Sequence, residues 1–532
     1  MIKRIFLFLI IVLLSLVLVI GANTLRQSSK QIPVQPAVII KLDEQAAAQR
    51  LASALRLPTI ANADKVQTQS AAFNALHTLL EKSFPLVHAK LQRDIVAEHS
   101  LLYRWQGTDT NARPILLMAH QDVVPVAPGT EHLWQQPPFA GEIKDGFIWG
   151  RGAWDDKGNL FAMMEAIETA LASGFQPRQT IYLAFGHDEE VGGLHGAKAI
   201  AALLESRDIR FEFILDEGML VTEGILKGLD QSAALIGVAE KGYASMQLSL
   251  DATPGHSSMP PQKTAIGMMS NALSKLEQHQ LPANIRGIAF DMFETIAPEM
   301  HGLNRVLLSN LWLFAPLVQH ELEKSASTNA TLRTTTALTM VHAGNKDNVL
   351  PGQIQATVNF RTLPGDTQTS VMEHIKTTIG NDAIRINSLN GNSEPSRVSP
   401  VNSDAYRMLH KTIREVFANT IVAPGLMLGA TDSRHFEKLS PNIFKFSPVR
   451  ATSEDLPRFH GTNERISVKN YLEMVRFYHQ LLTRTHFINR DECEQGDSGC
   501  SARRDAQLRL EPLQAAQRCN APESPAPGGF AT

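Results

Sequence analysis

The chain has 532 residues, 43% of them hydrophobic, with 50 Lys and Arg against 53 Asp and Glu and a net charge of -3. That length exceeds one ordinary domain, and the apolar fraction is enough to fill substantial cores. A near-neutral balance with no basic block excludes nucleic acid as an expected partner and leaves small-molecule chemistry as the default.

In chain order, Lys3 and Arg4 precede an uncharged stretch from Ile5 to Ala22. Its 18 residues stand at the lower limit for spanning a bilayer and exceed the usual apolar region of a signal peptide, about 7 to 15 residues. Residues 1 to 22 therefore read as a signal anchor or a signal peptide, and the protein as exported, membrane-anchored or periplasmic. Gly21 and Ala22 offer a cleavage site that Ile20 fits poorly, which favours an anchor with its charged end in the cytoplasm. Residues 23 to 40 read as a linker.

Residues 114 to 119, 180 to 185 and 211 to 215 are short apolar runs without alternation, as in strands buried on both faces. A helix-length segment, 160 to 174, separates the first two, which predicts an α/β fold with a mostly parallel sheet flanked by helices. From about Glu240 the texture changes: 243 to 252 and 355 to 363 alternate like half-exposed strands, and 369 to 380 has helical spacing. We read 41 to 240 and 393 to 487 as two parts of a catalytic domain, and 241 to 392 as a smaller α+β domain inserted between them. Residues 285 to 335 read as a helical and loop extension of that insert. Residues 488 to 532 read as a disordered tail, and all three cysteines (Cys493, Cys500, Cys519) fall there, so the folded body contains none that could form a disulfide.

Each apolar run ends in candidate metal ligands: His120 and Asp122 after the first, Glu189 and Glu190 after the second, Asp216 and Glu217 after the third. Sites in open α/β sheets form at the carboxyl ends of strands, so these groups are expected to converge. A glycine-rich turn adds Asp155 and Asp156, and the segment 458 to 467 adds His460. Singly, each has an ordinary explanation as a turn former or helix cap; jointly, they would require several coincidences. Neighbours in extended chain point to opposite sides, so Glu189 and Glu190 must divide two tasks. His187 and Asp188 read as surface groups.

The motif H-x-D-x-V-P at His120 to Pro125, G-R-G-x-x-D-x-K-G at Gly150 to Gly158 and E-E-x-G-G at Glu189 to Gly193 resembles the dinuclear-zinc family of carboxypeptidase S, acetylornithine deacetylase and succinyl-diaminopimelate desuccinylase. The resemblance covers roughly residues 45 to 485. "FHGTNERIS" and the apolar N-terminus look most like the carboxypeptidase S and N-fatty-acyl-amino-acid hydrolase branch. It implies a ferredoxin-like lid and two Zn²⁺ per subunit, with Co²⁺ or Mn²⁺ as substitutes. His120, Glu190, Asp216 and His460 would be ligands, Asp155 would bridge both ions, and Asp156 would not bind. Asp122 would orient His120, and Glu189 would be the general base. His256 would donate to the oxyanion, and Arg361 would grip the substrate's carboxylate beside Asn348, with Thr431 and Arg434 in a further substrate-lining loop.

The expected activity is hydrolysis of an amide joining a peptidyl or acyl group to an amino acid with a free carboxylate. An amidase for N-fatty-acyl amino acids is the alternative within enzymes, and an inert membrane-tethered binding protein the alternative outside them. The resemblance also implies pairing of two chains through the lid, and it leaves open whether His256 serves its own site or a partner's.

Overall fold

The computed structural model describes residues 1–62, 69–226 and 228–484. The expected tail and its cysteines lie outside the described residues.

At the centre of the larger sheet, the strand Ile115–His120 runs parallel to Ile181–Gly186 on one side and to Ile214–Asp216 on the other. All three are buried along their whole length, which is why their sequences show no polar alternation. Ile443–Lys445 pairs parallel with Ile214–Asp216, and Ile421–Met427 pairs parallel with Ala233–Glu240. Segments before residue 240 and after 420 therefore build one sheet. Helix Lys157–Ala172 is buried over most of its first three turns and packs on Ile115–His120. Helix Val468–Arg484 closes the fold, its buried Tyr478 donating a hydrogen bond to Asn159 Oδ1 at 2.9 Å.

The chain leaves this sheet at Lys241 to build a second, four-stranded antiparallel one, ordered Thr335–His342, Gln353–Thr362, Gly242–Asp251, Arg385–Ser388. Gln353–Thr362 buries every second residue, so one face is apolar. Helices Ala265–Gln278 and Gln368–Ile379 cover that face: Met269, Leu276, Val371 and Ile375 join Met246, Leu248, Val358 and Phe360 in one core. Thr264 and Thr367 cap the two helices through their hydroxyls. This is the α+β lid, two helices on one face of an antiparallel sheet.

Residues 288 to 332 fold into helices Ile288–Ile296, Gly302–Ser309, Leu311–Leu322 and Ala326–Leu332. Although inserted within the lid's sequence, they pack on the larger sheet: Ile296 and Met300 cluster with Leu229, Ala233, Ile421 and Ala423. The N-terminal helix, Ile2–Arg26, is the one helix among the described residues long and apolar enough to cross a membrane, and its side chains are exposed except near its last two turns.

Candidate active site

Three parallel strand ends and two loops bring acids and imidazoles together. His120 ends its strand, Glu189 and Glu190 begin the single 3-10 turn after Ile181–Gly186, and Glu217 follows Asp216. Asp155 precedes helix Lys157–Ala172, and His460 sits in a loop with a φ of 56°. Asp155 Oδ1 lies 2.8 Å from His120 Nε2, and its Oδ2 lies 2.8 Å from His460 Nε2. Glu190 Oε2 is 3.4 Å from His460 Nε2, and Glu217 Oε1 is 3.4 Å from His120 Nε2. Asp155 thus stands in the middle with one imidazole and one glutamate on each side.

Asp216, expected in this group, is turned out of it. Its Oδ1 accepts the Glu217 amide at 3.0 Å and its Oδ2 the Ser433 amide at 2.8 Å. Because adjacent residues of an extended chain face opposite ways, Asp216 facing Ser433 sends Glu217 towards His120. Asp156 is near His120 and Glu217, but its two oxygens accept the His120 amide and the Asn159 side-chain amide.

Asp122 holds both members of the first doublet. Its Oδ1 accepts the Glu189 amide at 3.2 Å and its Oδ2 the Glu190 amide at 3.1 Å. The same residue meets His120 Nδ1 through its carbonyl oxygen at 3.0 Å and its Oδ1 at 3.3 Å, which directs Nε2 at Asp155. His187 and Asp188, expected at the surface, are buried: His187 Nδ1 lies 2.7 Å from Ser100 Oγ, and Asp188 accepts the His195 and Gly196 amides, both at 2.8 Å. They shape the turn. Gly193 completes it with a φ of +65°, where a Cβ would stand 2.0 Å from Asp432 Oδ1.

The cluster opens into a cleft of about 940 Å³ whose wall includes Glu189, Glu190, Glu217 and His460. Arg361 and Arg434 face the same cleft. Arg361 holds its guanidinium 4.8 Å from the centre of the Tyr243 ring, and Arg434 donates to the Gly192 carbonyl at 3.0 Å. Thr431, expected to line the substrate, is instead buried: its hydroxyl donates to Glu240 Oε1 at 2.6 Å and accepts the Ser433 amide at 3.3 Å. It caps a short helical turn and does not line this cleft. His256 and Asn348, distant in sequence, meet on a small two-stranded sheet, where Gly255–His256 pairs with Val349–Leu350 and the Asn348 carbonyl accepts the Ser257 amide at 3.1 Å. This two-stranded sheet lies on the lid outside the cleft wall, and His256 is exposed.

A model of the peptidase family M20/M25/M40 matches residues 116–484. The chain belongs to this family. It is 40% identical over 483 residues to the probable carboxypeptidase S-like 2 of Dictyostelium discoideum, covering 89% of this chain and 92% of that one. It is likewise 40% identical over 479 residues to the N-fatty-acyl-amino acid synthase/hydrolase PM20D1 of Xenopus tropicalis, covering 89% and 93%. Yeast (Saccharomyces cerevisiae) carboxypeptidase S is 31% identical, covering 82% and 83%. Among solved structures, an M20 family metallo-carboxypeptidase from Sulfolobus solfataricus superposes with a TM-score of 0.62 at 19% identity, covering 84% of this chain and all of that one, which supports the fold. The chain is accordingly a hydrolytic enzyme, and the inert reading is set aside.

In this M20 peptidase, two residues unassigned from the sequence position the cluster. Glu464 Oε1 accepts the amides of Gly152, Trp154 and Asp155 at 3.0, 2.9 and 3.2 Å. Its Oε2 pairs with Arg151 at 2.5 Å, and Arg151 also donates to the His460 and Gly461 carbonyls. One buried ion pair therefore ties the Asp155 loop to the His460 loop. The signal was present as the Arg of G-R-G and the Glu of "GTNERIS", but nothing in the spacing said they would meet.

The electrostatics favour cations. Burial and the charge of Asp155 push Glu190 above the usual carboxylate range, and push Glu217 well above it. Burial opposes it, yet hydrogen bonds from His120 and His460 hold Asp155 low. His460 is raised to about 10, first by Asp155 and then by Glu190. Glu190 also buries an Oε1 with no hydrogen-bond partner. A crowd of carboxylates with two imidazoles and an unused buried oxygen is a donor set suited to divalent metal.

Proposed function

We propose that this peptidase holds two Zn²⁺ per subunit, with Co²⁺ or Mn²⁺ as substitutes, and hydrolyses the amide between a peptidyl or acyl group and an amino acid bearing a free carboxylate. His120 and Glu217 would hold one ion, Glu190 and His460 the other, and Asp155 both. Bound there, divalent cations polarise a carbonyl oxygen and lower the pKa of water. The observation that carries this reading is Asp155 contacted by two imidazoles at equal distance, each backed by a glutamate, beneath a cleft containing Arg361.

Glu189 is the proton carrier. Asp122 pins its backbone amide, so its carboxyl stays in the cleft wall beside the cluster. Water adds to the carbonyl carbon and gives its proton to Glu189; the C–N bond then breaks and that proton passes to the departing amine. Arg361 orients the substrate by pairing with its carboxylate, and Arg434 adds positive charge to the same wall. His256 would stabilise the oxyanion when the lid, its own or a partner's, closes. The Ser258 amide donates to His256 Nδ1 at 3.1 Å, which leaves the N–H of a neutral ring on Nε2, free to donate. Pairing of two chains would use the lid's edge strand Thr335–His342, where Met340 and Val341 are exposed. The helix Ile2–Arg26 would anchor the enzyme in a membrane with its body outside the cytoplasm.

A fatty-acyl amino acid is the second substrate reading, favoured by the apolar part of the wall: Trp154, Val191, Leu194, Met427 and Phe459. Measuring amino-acid release from peptide and N-acyl substrates, with and without a chelator, tests both. Release from neither, or release untouched by the chelator, contradicts the proposal.

A further inference from the structure

The insert 288–332 carries an apolar surface that the catalytic reading does not use. On helix Leu311–Leu322, Trp312, Leu313 and Leu317 are 59%, 37% and 50% exposed, and Pro316 lies on the same face. Leu303, on the preceding helix Gly302–Ser309, is 70% exposed. The stripe ends abruptly: one turn further along, His320, Glu321 and Lys324 are the exposed residues. Trp312, Leu313, Pro316 and Leu317 are neighbours at helical spacing, and an exposed apolar face with a polar border marks an interaction surface.

What covers it is indicated by where it sits. Asn310, fully buried between the two helices, donates to Thr24 Oγ1 at 3.0 Å and to the Ile20 carbonyl at 3.3 Å, both in the last turns of helix Ile2–Arg26. The same Asn310 accepts the indole N–H of Trp312 at 3.2 Å. Gln27 reaches the Ser309 carbonyl at 3.4 Å from the same end. The apolar stripe therefore begins at the level where the uncharged stretch of the N-terminal helix ends, at Ala22. Its polar end lies the length of the helix away from that junction. Tryptophan concentrates at the level where lipid headgroups meet the acyl chains, and an apolar helix face beside a span is buried to that depth.

We propose that the face formed by Trp312, Leu313, Pro316 and Leu317 is a second membrane contact, dipping into the same bilayer leaflet that the N-terminal helix leaves. The inference rests on the anchoring proposed above. It gives the insert a role: fixing the orientation of the catalytic body over the lipid surface, which a single helix alone leaves free to swivel.

The test uses the full chain in phosphatidylcholine liposomes containing bromine-labelled acyl chains. Of five tryptophans, Trp105, Trp134, Trp149 and Trp154 are at most 9% exposed, so Trp312 is the one available for quenching. We expect tryptophan emission to fall by about a fifth, one tryptophan's share of five, and Trp312→Phe to abolish that fall. Leu313→Glu with Leu317→Glu changes exposed positions only and should cut the quenching while leaving the chain on the liposomes. A chain that fails to float with liposomes overturns the anchor and the contact together. A chain that floats with Trp312 unquenched overturns the contact alone, as does emission that changes with protein concentration and not with bromine, the result expected of a second copy on this face.

Discussion

The sheet-end floor and the lid contribute to the site in opposite ways. On the floor, His120, Glu190, Glu217 and Asp122 follow the ends of central strands and Asp155 the loop before helix Lys157–Ala172, all held by hydrogen bonds and ion pairs. On the lid, the His256 ring is exposed, hydrogen-bonded to Ser258 two residues away, and outside the cleft wall. Charge stabilisation built on rigid, buried elements costs no reorganisation during reaction, whereas a donor on a separate domain can be brought in after the substrate. Floor substitutions should therefore damage chemistry or fold, and substitutions at His256 on the lid should damage turnover alone.

The largest effect is expected from Glu189→Gln. Losing the proton carrier should lower kcat by about 10²- to 10⁴-fold with bound metal unchanged, read by parallel assay and metal analysis. Near-normal turnover would remove Glu189 from that role. Next comes Arg151→Met, which leaves the Glu464 carboxylate buried without its partner. Breaking a buried pair typically costs about 3 to 5 kcal/mol, so denaturant unfolding should show a loss of that size. A variant as stable as wild type would mean the two loops are held by other contacts.

His256→Ala sharpens the contrast from the other side. We expect kcat to fall by about 10²- to 10³-fold, the size seen when one oxyanion donor is removed, with stability and metal content unmoved because the side chain is exposed. A fall in stability or metal would place His256 with the floor. The smallest effect lies far from the cleft. Burial, with Arg414 nearby, lowers His410 to about 4. Its folded pKa lies below the unfolded value of 6.5, so stability is fully present above pH 6.5, falls as pH drops through the window from 6.5 to 4, and levels off below it. His410→Leu should flatten that part of the stability-versus-pH curve by at most about 3 kcal/mol.

The sequence was most readable where burial was complete. The first two unalternating runs became parallel strands within one residue of their bounds, the third only over Ile214–Asp216, and the acids following them led to the cleft. It was least readable within acidic doublets, because the alternation that separates Glu189 from Glu190 does not say which of Asp216 and Glu217 faces inward. That depended on the Ser433 amide, more than 200 residues away. Thr431 misled for a similar reason: a hydroxyl near a substrate-like loop serves equally as a helix cap, and Glu240 claims it. The insert 288–332 resisted assignment because its helices bury only part of their apolar residues, leaving Leu303 and Trp312 outside, so the periodicity that marks a core-facing helix is blurred.

The claim on which the account turns is that the second member of the Asp216–Glu217 doublet, and not the first, completes a two-ion site. Metal content of the purified wild-type chain and of Glu217→Gln and Asp216→Asn tests it directly. We expect about two ions per wild-type chain, at least one lost in Glu217→Gln and both kept in Asp216→Asn. Loss of metal from Asp216→Asn with full retention in Glu217→Gln would contradict it.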